Sequence, residues 1–224
     1  MDARTVVIVP AAGSGERLGR TEPKAFIEVG GRAMLVLAAE SALASGAVDL
    51  VVVAVPPGRE AEAAELLASF GGRAQTVTGA ATRLASVRAA LAVVPDAAEI
   101  ILCHDAARPL ATPALFRAVI DGLVDADAVV PALPVPDTVK RVRHGSVVRT
   151  EPREELAFAQ TPQAFRAAPL RDAHSRAEHA ELDFTDDASV LEWAGYRIRV
   201  VPGEPGNFKI TSAEDLARAE AARG

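Results

Sequence analysis

The feature that most constrains this chain is its alternation of short, almost continuously apolar runs with helical patterns. Residues 5–9, 50–55, 99–103 and 128–132 are rich in Val, Ile and Leu with few polar interruptions, as expected of strands covered on both faces. Helices are expected between and after them, over 34–45, 60–70, 83–94 and 113–124. In the third, Leu84, Val87, Ala90, Leu91 and Val94 recur at helical spacing and form one apolar stripe. Gly46 and Gly71-Gly72 stand where helix ends are expected, and Pro113 where a helix begins. Strands alternating with helices of this length predict an α/β fold, a parallel sheet with helices on both faces. In such sheets ligands bind beyond the carboxyl ends of the strands, so the chemistry should follow the strands.

After Pro134 the pattern changes. Residues 139–143 and 146–150 flank His144-Gly145, which predicts a β-hairpin with a tight turn. Its legs are rich in arginine, and an isolated two-stranded hairpin is marginal in water. A second subunit is the preferred support. The chain is then expected to return to the core over 157–165 and to form helices over 167–179 and 186–194, the latter ended by Gly195. A strand over 196–201 follows, and a last helix opens with the capping box Thr211-Ser212-Ala213-Glu214.

With 224 residues, half of them apolar, the chain can bury one large core, and residues 1–224 are taken as a single domain. The net charge of −6 gives no global attraction to nucleic acid or an anionic membrane. Any phosphate must be met by a local cluster of cations. The single cysteine, Cys103, excludes an intrachain disulfide and a cysteine-based zinc site, and a cytoplasmic setting is expected. Residues 1–12 superficially resemble a signal peptide, but Pro10 interrupts the short apolar run and a glycine-rich turn follows. A buried first strand is the preferred reading, and no stretch approaches the length of a membrane span.

That turn reads Pro10-Ala11-Ala12-Gly13-Ser14-Gly15-Glu16-Arg17, with Pro23-Lys24 soon after. Small residues let backbone N–H groups approach an anion, and Arg17 and Lys24 add two cations nearby. Gly13 and Gly15 alone would equally fit a plain strand-to-helix turn; the cations and the position after the first strand favour a phosphate site. The spacing matches neither a dinucleotide fingerprint nor a P-loop.

At this point the sequence resembles the 2-C-methyl-D-erythritol 4-phosphate cytidylyltransferase family. The resemblance is carried by Pro10 to Arg17 with Pro23-Lys24, by Arg83 with Ser86-Val87, and by His104-Asp105-Ala106-Ala107-Arg108-Pro109. It continues through Pro136-Asp137-Thr138-Val139-Lys140, Thr161-Pro162-Gln163, Thr185-Asp186 and Asn207-Phe208-Lys209-Ile210-Thr211. Ala80 and Ala25 depart from it, standing where family members commonly have glycine and glutamine. The resemblance implies a Rossmann-like, mostly parallel sheet and a β-arm at roughly 134–156 that embraces a second copy in a homodimer. It implies transfer of CMP from CTP, with Mg²⁺ held mainly by the CTP phosphates and no protein metal ligands, to 2-C-methyl-D-erythritol 4-phosphate.

Residue by residue, the resemblance implies that Arg17 and Lys24 are catalytic, and that Arg153 and Lys209 position the acceptor phosphate, Arg153 from the neighbouring subunit. CTP is expected at Pro10, Ala11, Ala12, Gly13, Gly15, Gly79, Arg83, Ser86, Asp105 and Ala106. The acceptor is expected at Asp105, Arg108, Thr138, Thr161 and Thr185. Composition alone would leave Arg153 a solvated surface arginine and Ser86 a helix cap. Lys209 interrupts Phe208 and Ile210 on an expected strand, where it could simply face outward. His104 is expected to be a packed or turn residue and Cys103 a small core residue.

Three other readings compete with this one. A cytidylyltransferase for another polyol phosphate, such as ribitol 5-phosphate, shares most of these motifs. A glycosyltransferase would need a metal-binding carboxylate pair at a strand exit, and Asp125-Ala126-Asp127 precedes its strand instead. An inactive nucleotide sensor should have lost one of the four cations, and all four are present.

Overall fold

A computed structural model describes residues 3–13, 15 and 22–223. The chain opens with β1 (Thr5–Pro10), the short pair β2 (Glu28–Val29) and β3 (Arg32–Ala33), and helix α1 (Met34–Ala44). There follow β4 (Leu50–Val55), α2 (Glu60–Leu66), β5 (Ala74–Thr78), α3 (Arg83–Leu91), β6 (Ile100–Cys103) and α4 (Pro113–Asp121). Next come β7 (Ala128–Pro134), the hairpin β8 (Val139–Arg143) and β9 (Ser146–Glu151), β10 (Ala157–Ala159) and β11 (Gln163–Arg166). Helices α5 (Ala167–His179) and α6 (Asp187–Ala194), strand β12 (Ile198–Pro202) and helix α7 (Ala213–Ala221) close the chain.

The apolar runs are unbroken because both faces of the sheet are covered. Val7, Val9, Val51 and Val53 pack on one face with Leu35 of α1 and Phe116 of α4. Their alternates Val6, Ile8 and Val52 pack on the other with Val87 of α3, Leu170 of α5 and Leu191 of α6. β1 runs parallel to β4 on one side and to β6 on the other, and β4 runs parallel to β5. The carboxyl ends of β1, β4, β5 and β6 therefore open at one edge. Order reverses at β1, since β4 and β5 lie to one side and β6 to the other, which makes this edge a switch point.

The sheet is mostly but not wholly parallel. β11 runs antiparallel between β6 and β7, and β10 pairs antiparallel with the end of β7. Both belong to the segment that returns from the hairpin and so enters the sheet against the general direction. β12 pairs parallel with β7. The hairpin forms its own two-stranded sheet. Its turn puts His144 at φ 48° and Gly145 at φ 77°, the paired positive values of a tight hairpin turn.

Several boundaries differ from expectation. Helix α2 stops at Leu66, and 68–73 is a tighter 3₁₀ segment in which Gly71 adopts φ 58°. Strand β5 has a half-exposed pattern with little apolar signal, so its residues carried no strand signature. Residues 207–211 form no strand; the segment is held by single contacts, such as Ile210 N to Ala107 O at 2.8 Å. The capping box lies one residue later than expected: Ser212 caps α7 and Asp215 is its reciprocal partner. Asp215, rather than Glu214, collects bonds from Thr211 Oγ1 and N and from Ser212 N. Those donors, the Thr211 hydroxyl first, hold its carboxyl down at about 2. Among the described residues no helix is long and apolar enough to cross a membrane.

Phe165 of β11 is completely buried in the cluster that joins the returning segment to α5 and α6. Phe165→Ala should cost roughly 3–5 kcal/mol, read as a lower urea midpoint at unchanged slope. Val124→Ala, at a residue 73 % exposed, should change stability by no more than about 0.5 kcal/mol.

Candidate active site

At the edge where β1, β4, β5 and β6 end lies a pocket of about 270 Å³. One wall is the turn after β1. Ala11 donates from N to Ala54 O at 2.7 Å, so the backbone leaves β1 still tied to β4. Pro10, Ala11, Ala12 and Gly13 then line the pocket. Gly15 has φ 75°, and a Cβ there would lie 3.1 Å from Lys24 N. Only glycine suits both that conformation and that closeness. The turn thus folds back on Lys24, whose N donates to Gly13 O at 3.2 Å and which lines the same pocket. Arg17 lies outside the described residues.

The opposite wall follows β5. Gly79 N donates to Val55 O at 2.7 Å, and a Cβ on Gly79 would stand 2.7 Å from the Ala12 Cβ. The two walls meet there because residue 79 has no side chain. Ser86 lies inside α3, not at its cap; the cap is Thr82, whose side chain accepts from Ala85 N. Ser86 Oγ accepts from Ala80 N at 2.9 Å and faces Thr82 O at 2.9 Å, fixing the loop that forms the pocket's rim. Ala25 and Ala80 both line the cavity.

The floor is charged. Asp105, two residues beyond β6, has a side chain only 12 % exposed and two cationic partners. Arg83 Nε donates to Oδ1 at 3.0 Å and Lys209 Nζ to Oδ2 at 2.7 Å. Burial would raise this carboxyl's pKa, but the Arg83 and Lys209 charges outweigh it and hold the group well below the usual carboxylate range. Burial likewise works against the Arg83 guanidinium, yet Asp187 and Asp105 leave it above its ordinary value. Asp105 is therefore a fixed anion and Arg83 a fixed cation at neutral pH.

Asp105 N donates to Thr161 Oγ1 at 3.0 Å, and the same hydroxyl lies 3.1 Å from His104 Nδ1. Thr161 is buried, its hydroxyl engaged in holding the Asp105 backbone. His104 packs edge-on against Phe116 at 5.1 Å. Arg108 Nη1 donates to Asn207 O at 2.8 Å and Nη2 to Ala159 O at 3.3 Å, tying the 207–211 segment to β10. Buried Asn207 donates from Nδ2 to Thr161 O at 2.8 Å. These contacts carry Lys209 to the pocket without a strand.

The structure thus brings Lys24, Arg83, Ser86, Asp105, Ala106 and Lys209 together with the turn after β1. Thr138 and Arg153 line a separate hollow of about 380 Å³ at the base of the hairpin. There Arg153 Nη1 donates to Pro136 O at 2.7 Å. Thr185 is exposed and lines neither cavity. Sequence reasoning missed Asp187, a wholly buried carboxylate 2.7 Å from Arg83 Nη1. The doublet Asp186-Asp187 was the available signal, because one acid suffices to cap a helix. Among the described residues no group of three or more His, Cys, Asp or Glu side chains could hold a metal.

Residues 5–223 match the family model described as 2-C-methyl-D-erythritol 4-phosphate cytidylyltransferase. A protein of that name from Rhodococcus opacus is 47 % identical over 218 residues, 96 % of this chain and 93 % of the relative. Another from Frankia casuarinae is 46 % identical over 220 residues, 97 % of this chain and 80 % of the relative. The crystal structure of 2-C-methyl-D-erythritol 4-phosphate cytidylyltransferase from Thermus thermophilus is 37 % identical, covers 97 % of each chain and has a TM-score of 0.81. The 4-diphosphocytidyl-2C-methyl-D-erythritol synthase of Anaerococcus prevotii, 30 % identical, gives a TM-score of 0.87 over 100 % of this chain and 99 % of that one.

Burial pushes the His104 imidazole down to about 4, whereas an unfolded histidine titrates near ~6.5. The unfolded chain therefore binds a proton that the folded chain refuses between those values. Stability is full above about pH 6.5 and falls as pH drops toward 4, by roughly 2–3 kcal/mol from this residue. Urea unfolding at pH 7.0 and 4.5 should show a smaller loss in His104→Asn than in the wild type. An equal loss in the variant would remove His104 as the cause.

Proposed function

The chain belongs to the 2-C-methyl-D-erythritol 4-phosphate cytidylyltransferase family, and we propose that the pocket at the carboxyl edge of β1, β5 and β6 is its active site. The reaction transfers CMP from CTP to 2-C-methyl-D-erythritol 4-phosphate, giving 4-diphosphocytidyl-2-C-methyl-D-erythritol and pyrophosphate. The relatives carry the methylerythritol name throughout, so another polyol phosphate such as ribitol 5-phosphate is not favoured. One observation carries the placement: Lys24, Arg83 and Lys209, far apart in sequence, meet around one cavity with Asp105.

The acceptor's phosphate monoester has a second pKa near ~6 and is mostly dianionic at neutral pH. An oxygen of that phosphate attacks the α-phosphorus of CTP, the new P–O bond forms, and the bond to the β-phosphate oxygen breaks to release pyrophosphate. No proton has to be removed from the nucleophile, and among the described residues no histidine lines the pocket. The barrier is electrostatic, because two anions are driven together. Lys24, joined by Arg17, offsets the charge that gathers on the α-phosphate and the leaving group. Lys209 steers the acceptor phosphate. Asp105, ionised and fixed, accepts hydrogen bonds from hydroxyls of ribose or acceptor. The turn after β1, Gly79 and the Ser86 rim leave a narrow slot whose small side chains suit a flat pyrimidine.

Asp105, the one carboxylate that lines the pocket among the described residues, has both oxygens occupied by cations, so the described side chains make no metal cage. A divalent cation such as Mg²⁺ is proposed to enter on the CTP phosphates instead. The whole chain acts as one domain with its hairpin as an arm, in a cytoplasm whose reducing conditions suit a lone buried Cys103.

Arg153 and Thr138 sit on the arm, away from the pocket of their own chain. The arm also exposes Val142, Val147 and Val148, and the neighbouring β10 exposes Phe158, apolar surface that a second copy would cover. Homodimerisation through the arm would deliver Arg153 and Thr138 to the neighbouring pocket, where they meet the acceptor. Arg108 and Thr161 act from beneath that pocket through Asn207 O and the Asp105 N–H, and Thr185 lines neither cavity of the single chain.

Lys24→Ala should lower kcat about 10²–10³-fold with its far-ultraviolet spectrum unchanged, measured as pyrophosphate release from CTP and 2-C-methyl-D-erythritol 4-phosphate. Near-normal turnover would mean the site lies elsewhere. Mixing Lys24→Ala with Arg153→Ala subunits should restore part of the activity, since each mixed dimer holds one pocket with both cations intact. Activity that stays at the level of the separate variants would show that each chain uses its own Arg153.

A further inference from the structure

The geometry points to Asp187 as a positioning residue: it fixes the guanidinium of Arg83 from behind and so keeps Asp105 available to Lys209. The inference rests on the reading of this pocket as the CTP site. Asp187 is the first residue of α6 and its side chain has no exposure. Oδ2 accepts from Arg83 Nη1 at 2.7 Å, and His174 Nε2 of α5 lies 3.3 Å from Oδ1. Arg83 passes the connection forward through Nε to Asp105 Oδ1, and Asp105 Oδ2 receives Lys209. Four alternating charges thus run from the interior between α5 and α6 to the pocket floor.

Asp187 is not needed as a helix cap. Asp186 fills that role, accepting from Ser189 N at 2.9 Å. Gln163 of β11 then clamps the start of α6, donating from Nε2 to Asp186 Oδ2 at 2.7 Å and accepting from Ala188 N at 3.2 Å. A capped and tethered helix start holds Asp187 in one place. Burying a second carboxylate there is costly unless it is paired, and Arg83 is the cation it pairs with. Without that rear anchor, the planar fork of Arg83 would be free to take both oxygens of Asp105, the favoured arrangement for arginine and a carboxylate. Lys209 would then lose its 2.7 Å contact. The Arg83 wall of the pocket would move with it. Division of the carboxylates, one behind Arg83 and one in front, keeps two cations in register.

The test is steady-state pyrophosphate release by the wild type, Asp187→Asn, Arg83→Gln and the double variant, with thermal midpoints for each. Asp187→Asn should raise KM for both CTP and the acceptor roughly tenfold, with a smaller change in kcat. In the Arg83→Gln background the same change should move either KM by no more than about twofold, because there is no guanidinium left to hold. Unchanged KM values with only a lower midpoint, as expected of a purely structural carboxylate, would overturn the inference, as would independent effects in the double variant. Should Asp187→Asn not fold, Arg83→Gln and the charge-balanced double variant decide the matter: equal kinetics support the inference and unequal kinetics overturn it. A wild type that releases no pyrophosphate would defeat the reading of the pocket and this inference with it, whereas normal wild-type turnover with unaffected variants would defeat only this inference.

Discussion

The structure depends on one largely buried carboxylate held between two cations. Asp105 has each oxygen committed, one to Arg83 and one to Lys209, and its backbone N–H committed to Thr161. Removal of such a group from water is unfavourable by several kcal/mol, and the arrangement is stable only because opposite charge is supplied on both sides. That requirement dictates much of the surrounding architecture. α3 must begin where Arg83 can reach the end of β6, the 207–211 segment must be pulled in to deliver Lys209, and α6 must place Asp187 behind Arg83.

Charge balance also explains how an acidic protein handles a triphosphate. The chain as a whole carries −6, which gives no general attraction to anions. Inside the pocket the cations are few but fixed, and two of them have their positions set by carboxylates rather than by solvent. Preorganised charges need no rearrangement when a phosphorane-like transition state forms, which is where their stabilising effect is largest. In the proposed reaction these charges would serve by positioning rather than by proton transfer.

The sheet topology serves the same end. Reversal of strand order at β1 opens a crevice whose two walls, the turn after β1 and the loop after β5, approach as closely as Ala12 and Gly79 allow. The antiparallel entry of β10 and β11 is a consequence of the hairpin: a chain that leaves the sheet at the end of β7 and folds back on itself must return in the opposite direction. This returning segment carries Gln160, Thr161 and Gln163, whose side chains secure the 204–207 loop, the Asp105 backbone and the start of α6. An irregular piece of the sheet thereby sets the positions of three separate parts of the site.

Local patterning is enough to specify the layered α/β fold, the hairpin with its His144-Gly145 turn, the turn after β1, and Asp105 at a strand exit. Those features are local, written in periodicities of two and 3.6 residues and in the backbone demands of glycine. Strand β5 and the direction of β11 were not legible, because the first lacks an apolar signature and direction belongs to the chain's path rather than to its composition. The placement of Lys209 was misread as a strand position, since Phe208 and Ile210 imitate alternation. Tertiary structure alone decided that Arg83 meets Asp105 across 22 residues and Asp187 across 104, and that Lys209 meets Asp105 across another 104. Ion pairs between remote segments leave no periodic trace in a sequence, because the partners become neighbours only when the sheet and its two helical layers have closed around them.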